Sequence, residues 1–348
     1  MPEDKNLILK RKKEHLELCK TDEVSFKNKT NGFENYDFIH CAITEVDINN
    51  IDFSTSFLNK IISYPFIISC MTGGTNESEN INLRLASVAS ELNIPIGIGS
   101  QRHSINNSSN NHSFQELRKK AKNIPILGNI GASQIVKIKE FNKILKLIDL
   151  VEADGMVVHL NPLQELLQPE GEPYFKGLLK SIYNLKHRLQ IPLIIKEVGS
   201  GISFDSAKKL LECGVDAIDV AGAGGTSWAG VEILRNNNKK ELQFWEWGMP
   251  TSYCIRNINF LKKDFNFSLI GSGGINNAFD NAKALALGAD LTASARIILQ
   301  ALNESGTSGV INLIKDWHNT LKKIMFLTGS NTLQDLRHDK LIRKEELY

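Results

Sequence analysis

The 348-residue chain has no run of the roughly 18 apolar residues that a membrane helix needs. It has no apolar stretch before a small-residue cleavage site either. It opens Met1-Pro2-Glu3-Asp4-Lys5, which argues against a signal peptide. Paired cysteines are missing. Cys19, Cys41, Cys70, Cys213 and Cys254 are odd in number, widely spaced and form no CxxC. They read as free thiols in a reducing compartment, with no disulfide framework and no zinc site. An excess of one charge is missing too. The 41 Lys and Arg stand against 39 Asp and Glu, a net charge of +2. That disfavours nucleic acid as the main partner and leaves room for a local basic pocket. These absences predict a cytoplasmic protein without membrane or nucleic-acid partners.

Apolar residues make up 42% of the chain, enough for a sizeable core, and many of the 25 glycines cluster in short runs. From Pro65 onward a repeat emerges: an apolar run, a Gly or polar turn, then an amphipathic stretch. The runs are Phe66–Cys70, Ile94–Ile98, Ile124–Leu127, Gly155–Val158, Leu193–Ile195, Ala217–Val220, Phe267–Ile270 and Asp290–Thr292. Helical stretches between them include Leu83–Leu92, Ile135–Ile148, Tyr174–Leu189, Ser206–Leu211 and Ala278–Leu287. Continuous apolar strands alternating with helices imply a parallel sheet covered on both faces. Eight such units predict a (β/α)8 TIM barrel over residues 61–335, preceded by an N-terminal extension over 1–60. A doubly wound sheet is the rival, but it would show one dominant glycine fingerprint near its first strand. Here nearly every strand is followed by a polar or glycine signature. Within the preface, Lys5–Leu18 predicts a charged helix, Thr30–Phe38 a loop, and Cys41–Ile48 a strand covering one barrel end. A long insertion after the sixth strand, residues 227–265, carries Trp228, Trp245 and Trp247 and reads as a lid or a packing surface. The tail from Gly309 to Phe326 predicts a final helix with a charged, weakly ordered end.

The rim loops carry the candidate chemistry. Met71-Thr72-Gly73-Gly74 follows the first strand and reads as a ligand-approaching loop or a plain tight turn. Gly99-Ser100-Gln101-Arg102 follows the second, where Arg102 can grip an anion in two-point fashion. Asn129 ends the third strand and offers hydrogen bonds to a heterocycle, or caps the next helix. His159-Leu160-Asn161-Pro162 ends the fourth, with Gln164 and Glu165 just beyond. Glu165 can hold a hard cation such as Mg²⁺, Gln164 can orient substrate or relay a proton, and His159 can donate to a phosphate or tune the network. Lys196 closes the fifth strand, where a lysine is costly unless paired or functional. Gly222-Ala223-Gly224-Gly225-Thr226, Gly271-Ser272-Gly273-Gly274-Ile275 and Ala293-Ser294 follow the sixth, seventh and eighth strands. Late glycine loops before helix starts are a common barrel phosphate cradle. Upstream, Arg11-Lys12-Lys13-Glu14-His15 reads either as a solvated face or as an arm folded over the barrel mouth.

The motifs Arg11-Lys12-x-Glu14-His15, Met71-Thr72-Gly73-Gly74, Gly99-Ser100-Gln101-Arg102, His159-Leu160-Asn161-x-x-Gln164-Glu165, Lys196-Glu197-Val198-Gly199 and the stretch from Ala221 to Trp228 resemble the type 2 isopentenyl-diphosphate isomerases. The resemblance covers residues 8 to about 335. It implies interconversion of isopentenyl and dimethylallyl diphosphate in isoprenoid biosynthesis, with reduced FMN, Mg²⁺, and NADPH as reductant. It assigns FMN to Met71, Thr72, Gly73, Gly74, Ser100, Asn129, Lys196, Gly225, Thr226, Ser272, Gly273, Gly274, Ile275, Ala293 and Ser294. It assigns substrate to Arg11, Lys12, Ser100, Gln101, Arg102, His159 and Gln164, with Gln164, His159 and Lys196 catalytic and Glu165 on the metal. It also implies a homotetramer or homo-octamer. The arm helix is marginal by itself, so its ordering is expected to depend on substrate. The alternative is an FMN-dependent 2-hydroxy acid dehydrogenase or oxidase on the same barrel. That chemistry calls for a histidine base and an arginine near the sixth or seventh strand, and Ala-Gly-Ala-Gly-Gly-Thr and Gly-Ser-Gly-Gly-Ile supply neither.

Overall fold

A computed structural model describes residues 5–105, 111–138 and 140–347. Residue 139, inside the helix expected over Ile135–Ile148, lies outside the described residues, as do the first four residues of the arm. Eight parallel strands close into a barrel: β1 Phe66–Ile68, β2 Ile96–Gly97, β3 Ile126–Gly131, β4 Gly155–Leu160, β5 Leu193–Glu197, β6 Ala217–Asp219, β7 Ser268–Ser272 and β8 Leu291–Ser294. Each pairs with its sequence neighbour, and β8 closes onto β1. Successive strands buried on both faces explain why the apolar runs were continuous.

The barrel interior is filled by Ile67, Leu127, Val157, Ile194, Ile270 and Leu291. Its lower end is plugged by a hairpin, Thr55–Phe57 paired with Lys60–Ile62, which drives Phe57 and Leu58 into that cluster. The strand expected over Cys41–Ile48 is absent. Thr44 donates to the Phe326 carbonyl and Val46 packs on Leu321 and Met325, so the segment is held by a helix and has no strand partner. The covering role falls to the hairpin.

Lower-rim acids repeat at two-strand intervals. Asp154, Asp216 and Asp290 precede β4, β6 and β8. Each carboxylate accepts the backbone N–H of Ile126, Leu193 or Leu269, at or beside the start of the preceding strand, at 2.7–2.8 Å. Each also holds a cation from the preceding helical segment, respectively Arg118, Lys186 and Lys262. These clamps fix the bottom of the barrel and leave the opposite rim for function.

The helices depart from expectation in instructive ways. The stretch Ile135–Ile148 divides into Ala132–Lys137 and Phe141–Val151, because Ile138 takes an extended conformation. The helix expected over Tyr174–Leu189 is shorter, Leu178–Lys186. The final helix runs Arg296–Leu327 and is broken at Gly306, whose φ of 68° and ψ of −161° are not helical. The expected loop Thr30–Phe38 contains a 3-10 turn and a strand, Tyr36–Phe38, paired antiparallel with Leu341–Arg343. The charged tail is thereby folded back onto the preface. The insertion is a pair of helices, Trp228–Asn236 and Thr251–Asn259, joined by a 3-10 turn. Trp245 is buried against Gly230 and donates to the Ser25 carbonyl, whereas Trp247 is exposed.

One buried histidine sets a pH limit. His318 stacks on Tyr64 at 3.5 Å, its Nδ1 meets the Ile314 carbonyl at 2.6 Å, and its Nε2 has no partner. Burial pushes it from 6.5 down to about 3. Between these values the unfolded chain binds the proton and the native chain refuses it, so stability falls as pH drops through this window. Urea unfolding at pH 7 and pH 4.5 should show a loss on the order of a few kcal/mol. The loss should shrink in His318→Phe, and an unchanged loss would assign it to other groups.

Candidate active site

The C-terminal ends of the strands line a cavity of about 1470 Å³. Small-ligand pockets run to about 300–1,000 Å³, so this one has room for two ligands side by side. Eight lysines and arginines line it against four glutamates, so the mouth is positive in a chain that is nearly neutral. Strand register puts the polar rim residues at one height: Gly131 opposite His159, His159 opposite Lys196, Lys196 opposite Asp219.

His159 is oriented from beneath. Asn129 donates through Nδ2 to the Ile98 carbonyl, which turns its Oδ1 to His159 Nδ1 at 2.7 Å. Nδ1 therefore carries the proton and Nε2 presents a lone pair. Burial, then the charges of Lys196 and Arg102, push His159 down to about 4. The ring is neutral near pH 7, with its lone pair at Nε2. Next to it, Lys196 is buried, donates to the Glu197 carbonyl at 2.9 Å and lies 3.6 Å from Asp219. Asp219 also receives the Ser272 hydroxyl. Asp219 did not emerge from the sequence reading, although it closes β6 as Lys196 falls within the end of β5. A charge at the end of an apolar strand was the available signal.

The loop after β4 folds back on itself. Glu165 is buried and receives the Glu172 N–H at 2.7 Å and the Asn161 amide at 3.1 Å. A Cβ on Gly171 would stand 1.9 Å from the Glu165 carbonyl oxygen, so the return admits glycine alone. Asn161 also donates to Gln164 at 3.1 Å, and its own buried Oδ1 has no partner. Arg102 is paired with Glu172 at 3.1 Å, and Glu172 with Lys137 at 2.8 Å.

The N-terminal arm, helix Lys5–Cys19, lies across the mouth. Leu16 is buried, Lys12 donates to the Gly73 carbonyl, and His15 meets Glu232 at 2.8 Å and the edge of Trp228. The helix is docked, not free, which supplies the stability its isolated length lacks. Glu232 is a second residue that the sequence did not announce. A glutamate one turn after Trp228 reads as a solvated helix face, yet its side chain is 0% exposed.

The late glycine loops interlock. A Cβ on Gly225 would stand 2.5 Å from the Gly274 nitrogen, and one on Gly273, at φ +101°, 2.1 Å from the Gly222 oxygen. Glycine is thus required here for loop-on-loop contact as well as for ligand approach. Thr251 of the insertion donates to the Gly273 carbonyl at 2.6 Å, and Asn31 to the Gly274 carbonyl at 2.7 Å. The insertion and the N-terminal segment therefore brace the cradle.

Most residues singled out from sequence meet in this cavity: Arg11, Lys12, the Met71–Gly74 loop, Ser100, Arg102, Asn129, His159, Gln164, Glu165, Lys196, Gly225, Thr226, Ser272, Gly273, Gly274, Ala293 and Ser294. Two do not line it. Gln101 is fully buried, donating to the Leu147 carbonyl and accepting from the Asn129 N–H, so it braces Asn129 from behind. Ile275 is packed into the core, where its carbonyl receives the Ser294 hydroxyl. Arg296, which lines the cavity and donates to Ser25, is a further cation that went unnoticed.

The sequence profile of the FMN-dependent dehydrogenases matches residues 5–156 and 172–343. Isopentenyl-diphosphate delta-isomerase from Pelodictyon phaeoclathratiforme is 43% identical over 349 residues, covering 96% of this chain and 97% of that protein. The Vibrio campbellii protein of the same name is 43% identical over 330 residues, covering 94% and 96%. The chain belongs to the type 2 isopentenyl-diphosphate delta-isomerases. The chain shares its fold with distant solved structures. Flavocytochrome b2 with pyruvate bound superposes with a TM-score of 0.70 at 17% identity, covering 96% of this chain and 82% of that one. Lactate oxidase from Pediococcus acidilactici gives 0.68 at 14%, covering 97% and 94%.

Proposed function

We propose that the chain interconverts isopentenyl diphosphate and dimethylallyl diphosphate, using reduced FMN at the barrel rim. The observation that carries this is a two-ligand cavity whose buried Lys196 and positive mouth lie in a chain 43% identical to such isomerases over nearly its full length. Reduced FMN supplies acid–base chemistry here, because the isomerisation moves protons between carbons and transfers no net electrons. Thr72, Gly73, Gly74, Ser100, Asn129, Lys196 and Thr226 would hold its ring side. Gly225, Ser272, Gly273, Gly274, Ala293 and Ser294 would hold its phosphate, with Met71 and Ile275 packing behind. Lys196 sets a fixed positive charge where a reduced ring is anionic.

Arg11, Lys12, Ser100, Arg102, His159 and Gln164 would contact the substrate. Its diphosphate competes with Glu172 for Arg102. Gln164, between Asn161 and Glu232, orients the alkene end or hands on a proton. The closed mouth keeps water from a carbocation-like intermediate.

Mg²⁺ fits the oxygen donors present. Asn161 Oδ1 is buried and unpartnered beside the Glu165 carboxylate. Mg²⁺ commonly takes one or two carboxylates and completes its shell with water and phosphate oxygens, so it needs no dense ligand cage. The described residues contain no cluster of three His, Cys, Asp or Glu. Glu165→Gln is expected to raise the Mg²⁺ concentration for half-maximal activity by about tenfold, one lost charge-assisted contact, with FMN content unchanged. Loss of FMN with an unaltered Mg²⁺ curve would refute that role. NADPH as the reductant of FMN, a cytoplasmic location and a homotetramer or homo-octamer complete the proposal.

The alternative, 2-hydroxy acid oxidation on the same barrel, calls for a histidine base, and neither the loop after β6 nor that after β7 carries one. The deciding experiment incubates the reduced holoprotein, Mg²⁺ and isopentenyl diphosphate in D₂O. Deuterium in substrate and product is expected. Turnover of lactate without allylic exchange would reverse the assignment.

A further inference from the structure

Arg235 lies outside the cavity lining, on the helix Trp228–Asn236, with its side chain only 5% exposed. Its guanidinium gathers acids from three segments. Nε meets Glu232 at 2.9 Å, the terminal nitrogens meet Glu170 at 2.7 and 3.2 Å, and Glu14 of the arm lies 3.6 Å away. Only a forked, permanently charged group reaches so many oxygens at once. The Arg235 contact occupies Glu232 Oε2, which leaves Oε1 to face His15 Nε2 at 2.8 Å and Gln164 Nε2 at 3.4 Å. At its other end Gln164 accepts from Asn161 Nδ2. The Gln164 amide therefore has a fixed direction, nitrogen toward Glu232 and oxygen toward Asn161.

We infer that Arg235 is a positioning residue: through Glu232 it fixes the direction of the Gln164 amide, and through Glu14 it ties that amide to the docking of the N-terminal helix. The inference rests on the isomerase reading for the place of Gln164 beside substrate. Burial by itself pushes the Glu232 carboxyl up. The hydrogen bond and charge of His15 and the charge of Arg235 outweigh it and hold the group below the usual range. The charged or titratable groups around Glu232 are His15 from the arm and Arg235 on its own helix, with Glu14 and Glu170 facing Arg235 in turn. Without the arginine only His15 opposes burial, and on this inference burial then wins: Glu232 takes up a proton and becomes a donor. The amide then turns its oxygen toward Glu232 and its nitrogen toward Asn161 Nδ2, donor against donor. Arm closure and amide direction thus share one ion.

The test uses the full-length FMN-loaded protein and the variants Arg235→Met and Arg235→Lys. In R235M, kcat should fall by about ten- to a hundredfold, as for a reacting group misplaced by about 1 Å, with KM for isopentenyl diphosphate nearly constant and flavin retained. A protonated-carboxyl infrared band should appear at neutral pH, be absent from wild type, and vanish again in R235M/E232Q. R235K should recover part of kcat and lose the band. Should R235M not fold, Arg235→Gln is read in its place. A rise in KM at constant kcat, or no new carboxyl band, overturns the inference and reduces Arg235 to a clamp on the arm. Wild-type protein without isomerase activity, alongside the expected band, would instead sink the isomerase reading and leave the Arg235–Glu232 coupling standing.

Discussion

Lys196→Met should yield a protein with little bound flavin and about 3–5 kcal/mol less stability in urea unfolding, the usual cost of removing one partner of a buried pair. The structure gives the reason. Asp219 is 4% exposed, and the ammonium 3.6 Å away is its charged partner among the contacts described. The Ser272 hydroxyl and the Ala221 N–H remain to it, but neither carries charge. The two effects are separable. K196M/D219N removes the stranded charge while keeping an acceptor for Ser272, so most of the stability should return and the flavin should not. A single variant as stable as wild type would mean that Lys196 and Asp219 are not a coupled pair. Flavin retained at full occupancy would remove Lys196 from the ring site.

Arg11→Ala is expected to lower kcat/KM by roughly ten- to a hundredfold or more, while Lys13→Ala stays near wild type. One hydrogen bond to a charged group contributes about 1.5–3 kcal/mol, and about 1.4 kcal/mol is a factor of ten. On the proposed reading a bound diphosphate would bring several negative charges into the mouth, and Mg²⁺ with Arg102 would offset only part of them. Arg11 is half-buried on the pocket side of the arm, next to Lys12, whose ammonium already bridges to the Gly73 carbonyl. Lys13 is exposed. Flavin content should not change, because the late glycine loops are braced by other segments. Equal, mild losses from both variants would return the arm to an ordinary solvated face.

The barrel was legible because its strands are buried on both faces, so each appears as an uninterrupted apolar run with a polar rim residue after it. Lys196 and His159 could be singled out for that reason. What stayed hidden depends on partners far away in sequence. Glu232 looks like any solvated glutamate until His15, more than two hundred residues earlier, is brought against it. Gln101 sits in the motif Gly99-Ser100-Gln101-Arg102 beside two residues that reach the cavity, and only side-chain direction separates it from them. Cys41–Ile48 has strand-like composition, but a strand requires a neighbour to pair with, and a helix carbonyl took that place.

The N-terminal segment also dictates an order of events. Ser25 bridges Thr226, Asn31 reaches Gly274 across 243 residues, Cys41 bonds the Leu327 carbonyl, and Tyr36 pairs with Arg343. During synthesis the chain's first forty-odd residues emerge about ten seconds to a minute before these partners exist, at about 5–20 residues per second. They must wait unpaired while the barrel assembles behind them, and contacts of such long sequence separation form slowly. The late glycine loops therefore receive their Asn31 brace only once Gly274 is made, and the cavity rim is complete only once Ala293 and Ser294 follow. A chain that ends before β8 lacks the strand that closes the barrel onto β1, so its rim stays open on one side.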